Sequence, residues 1–89
     1  MSSSSQEPVR LVLYTLGPCL ASTQLREYLQ LKKLAYEERN IQERPAWGRE
    51  LRQRLGYVTA PVLLVGEEAV FGFDVPRLER LLLPRPRLD

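Results

Sequence analysis

The first patterned stretch of the chain is an apolar and β-branched run from Val9 to Thr15, interrupted by one charge at Arg10. Such a run predicts a buried strand of the kind found in the middle of a sheet. Leu16-Gly17-Pro18 breaks it and marks a loop. The spacing of apolar positions then becomes helical. Ala21, Leu25, Tyr28 and Leu29 make one stripe, while Arg26, Gln30 and Lys33 lie off it, which predicts a helix over Cys19–Lys33. Lys32 and Lys33 near its end suit the negative C-terminal pole of a helix.

Tyr36 to Ile41 reads as a short second strand whose charges place it in an exposed position. Arg44-Pro45 opens a second helix, with proline in the first turn. Trp47, Leu51 and Leu55 form its apolar stripe and Gly56 follows it as a terminating residue. Tyr57 to Pro61 leads into Val62–Val65, Gly66-Glu67 supplies a turn, and Ala69–Phe71 completes a β-hairpin. Gly72-Phe73-Asp74 leads into a last helix capped by Asp74, with Val75, Leu78, Leu81 and Leu82 on its buried face and Pro84 as its stop. The order is β-α-β-α-β-β-α. It predicts an α/β domain over residues 9–83, a four-stranded mixed sheet with three helices that cover both faces. A serine-rich polar stretch (1–8) precedes this domain and a Pro/Arg stretch (84–89) follows it.

With 89 residues there is room for one domain and one core. The net charge of +2 comes from 13 basic residues interleaved with 11 acidic ones, a mixed surface that argues against a nucleic-acid partner. Leu11-Val12-Leu13 is too short to span a membrane, and the first eight residues lack the basic and apolar regions of a signal peptide. The single cysteine, Cys19, permits no internal disulfide and fits a reducing cytoplasm. Histidine is absent, which excludes Cys–His pairs, Ser–His–Asp triads and histidine-based metal sites.

The candidate chemistry therefore concentrates on Cys19. A thiolate attacks disulfides and a thiol does not. A cysteine at a helix N-terminus meets unpaired N–H groups and a partial positive charge, and both lower its pKa. Cys19 falls at that place, and Ser22 one turn on offers a further hydrogen bond. The plainer alternative is a buried, inert cysteine.

Four patterns occur together in order: Gly17-Pro18-Cys19-Leu20-Ala21-Ser22 between strand and helix, Val58-Thr59-Ala60-Pro61-Val62, the hairpin Val65-Gly66-Glu67-Glu68, and Gly72-Phe73-Asp74. From Val9 to Leu83 the chain resembles the glutaredoxin family, with its NrdH-redoxin and mycoredoxin relatives. The resemblance implies a thioredoxin fold. It makes Cys19 the nucleophile, with Ser22 in the place of the second cysteine of a Cys-x-x-Cys motif. Pro61 falls at the family's cis-proline, with Thr59 and Ala60 beside it, and Gly72, Phe73 and Asp74 fall at the element that holds a thiol co-substrate. By residue chemistry alone, Pro61 also reads as a trans proline opening a strand and Asp74 as a plain helix cap. Two positions depart from the family: Leu16 stands where it often carries Lys, and Leu20 where it commonly carries Pro or Gly. Arg39, Gln42 and Arg44 are candidate substitutes for the missing cation, with a solvated charged loop as the plainer reading of each. Trp47 and Tyr57 are expected to pack in or near the core, and Tyr14 to be a strand residue near the site.

The function implied is thiol–disulfide exchange by a monothiol cycle. Glutathione or another low-molecular-weight thiol is the co-substrate, mixed-disulfide proteins are the substrates, and the protein acts as a cytoplasmic monomer with no tightly bound cofactor. Two alternatives stay open: a carrier of a [2Fe–2S] cluster held by Cys19 and an outside thiol, and a non-catalytic adaptor with the same fold.

Overall fold

The computed structural model describes residues 10–82. Its elements are β1 (Leu11–Thr15), α1 (Leu20–Leu31), β2 (Glu37–Asn40), α2 (Pro45–Leu55), β3 (Val62–Val65), β4 (Glu68–Phe71) and α3 (Val75–Leu82), in the expected order. The strands form one four-stranded sheet, β2-β1-β3-β4. β1 runs parallel to β2 with Thr15 opposite Asn40, and antiparallel to β3 with Tyr14 opposite Val62. β3 and β4 are antiparallel, and Val62 faces Phe71.

Alternation along the two central strands explains the layers. Side chains at successive strand positions point to opposite faces, and β1 and β3 are buried at every position. Leu11, Leu13, Leu63 and Val65 pack with Leu25 and Leu29 of α1 and with Leu78 of α3. Val12, Tyr14, Val62 and Leu64 pack with Leu51 of α2. Hence α1 and α3 share one face of the sheet and α2 covers the other. β2 lies at an edge with Glu37 and Glu38 exposed, charges that discourage pairing with another chain.

Several boundaries differ from those the pattern predicts. Cys19 is the N-cap of α1 and not its first helical residue, with extended backbone at φ −164° and ψ 149°. The helix ends at Leu31 because Lys33 turns left-handed, at φ 59°, and its amide bonds to the Gln30 carbonyl. β2 loses Tyr36 and Ile41, which pack against opposite core clusters. β4 gains Glu68, so Gly66-Glu67 is a two-residue hairpin turn. α2 stops at Gly56 as the pattern predicts, and its φ of 87° is a conformation that glycine adopts without a side-chain clash. The Ala60–Pro61 peptide is cis. The stop expected at Pro84, residue Leu83 and both terminal stretches lie outside the described residues, as does Val9.

Candidate functional site

Strand register gathers the candidate residues at one end of the sheet. β1 delivers the chain there at Thr15 and β2 arrives at Asn40, joined by the Ile41 amide donating to the Thr15 carbonyl at 2.8 Å. β3 departs from the same end, since Val62 faces Tyr14. Counted on past its last pair, that antiparallel register sets Pro61, Ala60 and Thr59 opposite Thr15, Leu16 and Gly17. β4 ends there too, and the Gly72 amide donates to the Pro61 carbonyl at 3.1 Å. The loop carrying Cys19, the Thr59–Pro61 segment and Gly72–Asp74 therefore share a rim, and α1 starts from it.

Cys19 is half-buried. Its sulfur accepts the Ser22 backbone N–H at 3.4 Å and lies 3.4 Å from the Ser22 hydroxyl. Ser22 is almost fully buried, so the hydroxyl is held in that position. Toward a thiolate it can only donate. The Cys19 carbonyl accepts from both the amide and the hydroxyl of Thr23, which anchors the cap from its other side. These contacts hold the Cys19 pKa below the ordinary thiol value. The Ser22 hydroxyl contributes most, then the Ser22 amide. Partial desolvation opposes them, and the Ala21 amide and the positive charge of Arg26 assist.

Arg26 lies seven residues, about two helical turns, beyond Cys19. It forms a bidentate pair with Glu38, at 2.8 and 2.9 Å, and Glu38 also accepts the Thr15 hydroxyl at 3.4 Å. This chain of contacts ties α1, β2 and the end of β1 together beneath the cysteine loop. No motif pointed to Arg26; its signal was its place two turns after Cys19, on the polar side of the stripe. Gly17 has φ +70°, and a Cβ built on it would stand 3.5 Å from the Gln42 side-chain oxygen, so Gln42 lies against the cysteine loop.

The other candidates divide. Asp74 accepts the Arg77 amide at 3.3 Å and its carbonyl accepts the Leu78 amide at 2.9 Å, so it caps α3. The Phe73 ring packs edge-on to Tyr28 at 6.0 Å within the core, which leaves only its backbone at the rim. Thr59, Ala60, Pro61 and Gly72 are half-buried. Arg39 does not replace the missing cation. Its guanidinium is shared among Glu37, Glu50 and the Tyr14 hydroxyl on the α2 face of the sheet. Arg44 stacks over Trp47 at 5.1 Å where α2 begins. Tyr57 is exposed, contrary to the packing expected, because its partner is Phe71, an edge-strand ring that is exposed as well.

Two cavities lie elsewhere. One of about 600 Å³ is lined by Leu11, Leu34, Leu81 and Leu82 at the opposite end of β1. The other, about 360 Å³, lies under α2 beside Tyr14, Arg39 and Arg54. Neither is lined by Cys19. No three potential metal-ligating side chains come together among the described residues. Cys19 supplies one of the four ligands that a [2Fe–2S] cluster takes, so this chain's own residues do not fit one without three outside donors.

A cysteine capping the first helix of a β-α-β-α-β-β-α sheet, beside a proline segment at the strand ends, defines a thioredoxin-fold redox protein. The Glutaredoxin family model matches residues 11–70, and the chain belongs to the glutaredoxin family. It is similar to the thioredoxin-like protein BC3987, with a TM-score of 0.75 at 26% identity over 82% of this chain and all of that one. It is similar also to the NrdH-redoxin of Escherichia coli, described as glutaredoxin-like, with a TM-score of 0.72 at 25% identity over 86% of this chain and 99% of that one. A glutaredoxin from Archaeoglobus fulgidus shares the fold, with a TM-score of 0.73 at 20% identity over 94% of this chain and 97% of that one. No curated protein matches the chain. No helix among the described residues is long and apolar enough to cross a membrane.

Proposed function

We propose that the protein catalyses thiol–disulfide exchange by a monothiol cycle through Cys19. The observation that carries this reading is the sulfur's position as N-cap of α1, receiving the Ser22 amide and facing the Ser22 hydroxyl. Both donors favour the thiolate, the form that attacks. Family membership supports the redox assignment, and so does the likeness to an NrdH-redoxin with a thioredoxin-like activity profile.

In the cycle the Cys19 thiolate attacks one sulfur of a mixed disulfide. A new S–S bond forms to Cys19, the old one breaks, and the other sulfur leaves as a thiolate that takes up a proton. With no second cysteine in the chain, an outside thiol resolves the adduct. The net reaction converts a mixed disulfide and a small thiol into a freed protein thiol and a small disulfide. Ser22 acts by stabilising the attacking and departing sulfur. The backbone of Thr59 and Ala60, beside Pro61, can pair with an extended substrate; next to Gly72, whose amide is taken by the Pro61 carbonyl, the main-chain N–H groups of Phe73 and Asp74 and the Asp74 carboxylate bind the small thiol. The co-substrate is glutathione or another low-molecular-weight thiol, and the protein works as a monomer in the reducing cytoplasm, where a lone thiol stays reduced.

The test is reduction of a mixed disulfide in the presence of several small thiols, with Cys19→Ser and Ser22→Cys compared with the natural chain. The expected result is complete loss of turnover in Cys19→Ser and a lower demand for outside thiol in Ser22→Cys. Turnover that survives Cys19→Ser overturns the reading.

A further inference from the structure

The two edges of the sheet are protected in different ways. β2 carries the exposed carboxylates Glu37 and Glu38. β4 reads Glu68-Ala69-Val70-Phe71, three uncharged residues after one acid, and its Phe71 is exposed. The ladder with β3 fixes which main-chain groups of β4 face outward. The Gly72 amide donates to the Pro61 carbonyl, while Val70 stands opposite Leu63 and Glu68 opposite Val65. Hydrogen-bonded pairs alternate along an antiparallel ladder, so Gly72, Val70 and Glu68 bond to β3. The amides and carbonyls of Ala69 and Phe71 therefore point away from the sheet. Among the described residues only one of these groups has a partner: the Ala69 carbonyl accepts Arg77 Nε at 2.9 Å, in a partly buried bond. The same guanidinium holds the Glu68 carboxylate at 3.0 Å. Arg77 thus reaches from α3 to the outer side of β4 and lies across it. Natural sheets cover or charge such edges to prevent pairing with another chain, and on β4 that task falls to one side chain.

We infer that Arg77 is the cover of a self-pairing edge, and that the partner it holds off is a second copy of this chain. Antiparallel pairing of β4 with β4, centred on Val70, sets Ala69 opposite Phe71 of the other copy, and Phe71 opposite its Ala69. Each outward amide then meets an outward carbonyl, and one sheet runs through both copies. The strand suits its own copy. Ala69 packs on the α2 face of the sheet, and Phe71, two positions on, shares that face. A ring opposite a small side chain is a well-filled cross-strand pair. Glu68 falls opposite Gly72, so the pairing opposes no like charges. Arg77 prevents it in two ways. Its guanidinium occupies the Ala69 carbonyl in each copy, and pairing would bring the two guanidinium groups together across the symmetry axis. The natural chain is thereby kept single although β4 is apolar and short of partners. β4 ends at the rim that carries Cys19, so an unpaired edge also leaves that rim clear of a second copy. The inference does not depend on the exchange chemistry.

The experiment is sedimentation velocity on the full chain from micromolar to millimolar concentration, with amide hydrogen exchange read by NMR. Arg77→Ala removes the cover, and Arg77→Met removes the guanidinium while keeping the apolar stem. Circular dichroism checks the fold of each, and Arg77→Met decides if Arg77→Ala unfolds. The natural chain is expected to sediment as a monomer, with the Ala69 and Phe71 amides exchanging quickly and the Val70 amide slowly. Both variants are expected to pair about a hundredfold more tightly, about tenfold for the charge-assisted hydrogen bond that each copy no longer has to break. Their Ala69 and Phe71 amides become protected, and dilution reverses the protection. Ala69→Pro added to Arg77→Met deletes an outward amide without touching the β3 ladder, and is expected to restore the monomer. Variants that stay monomeric at the highest concentration overturn the inference. So does a natural chain that pairs as tightly as they do, or a dimer that survives Ala69→Pro. Slow exchange of the Ala69 amide in the dilute natural chain overturns it without any variant, because that amide would not then face outward and unpaired.

Discussion

The Ser22 hydroxyl lies 3.4 Å from the Cys19 sulfur, and Ser22 is almost fully buried where α1 begins. A buried hydroxyl has few other partners, so its proton is directed at the sulfur whenever the sulfur is ionised. It is the largest contribution to the lowered Cys19 pKa. Ser22→Ala is expected to raise that pKa toward the ordinary thiol value. The pH at which alkylation accelerates then moves upward, and the ultraviolet thiolate signal appears later in an alkaline titration. The sign for stability follows. A thiol whose folded pKa is depressed contributes stability above its unfolded pKa and loses that stability as pH falls through the folded pKa. Ser22→Ala narrows the window between the two values. A titration curve unchanged by the substitution would refute the role given to the hydroxyl.

Arg26 acts on the same sulfur from farther away, and its charge is partly offset by Glu38, which it holds in a bidentate pair. Arg26→Gln is expected to raise the Cys19 pKa by less than Ser22→Ala does. The ion pair is partly exposed, so its loss costs stability of only about 0.2–1 kcal/mol. Denaturant unfolding measures the second effect and thiolate titration the first. A larger pKa change in Arg26→Gln than in Ser22→Ala would reverse the order of causes.

The ease with which these features were read from sequence follows from their range. The run Val9–Thr15 announced a central strand because β1 is buried on both faces, and the stripe Leu25-Tyr28-Leu29 announced α1 because it packs one face on the sheet. Cys19 and Ser22 are three residues apart, so local helix geometry alone joins them. Contacts between distant segments were not legible. Arg39 looked available for a ligand because its bonds to Glu50 and Tyr14 depend on α2 crossing the sheet. Tyr57 looked like a core residue because aromatic side chains usually bury, and its exposure depends on a partner, Phe71, at a sheet edge. Phe73 carried the reverse signal: it belonged to a site motif, yet its ring serves the core beside Tyr28.

Gly17 separates backbone strain from crowding. Its φ of +70° is left-handed, and a Cβ there would meet Gln42 only at 3.5 Å, an ordinary contact. Gly17→Ala is therefore expected to cost about 1–2 kcal/mol from the backbone conformation alone. Adding Gln42→Ala should not recover that loss. Thermal or denaturant unfolding of the single and double variants checks this, and full recovery in the double variant would show that crowding was the cause.

Asp74 allows a cap to be told from a ligand. Its side chain accepts the Arg77 amide, a bond that needs an oxygen but no charge. Asp74→Ala is expected to cost about 0.5–2 kcal/mol of stability, and Asp74→Asn, which keeps the oxygen, much less. If the carboxylate also receives the ammonium of a small thiol, the pattern in kinetics differs. Both variants then raise KM for glutathione while leaving KM for cysteamine-type thiols without an α-amino acid group unchanged. Unfolding curves report the first role and the pair of KM values the second. A rise in KM confined to Asp74→Ala would mean that α3 merely frays when uncapped, and that the Asp74 charge has no part in holding the thiol.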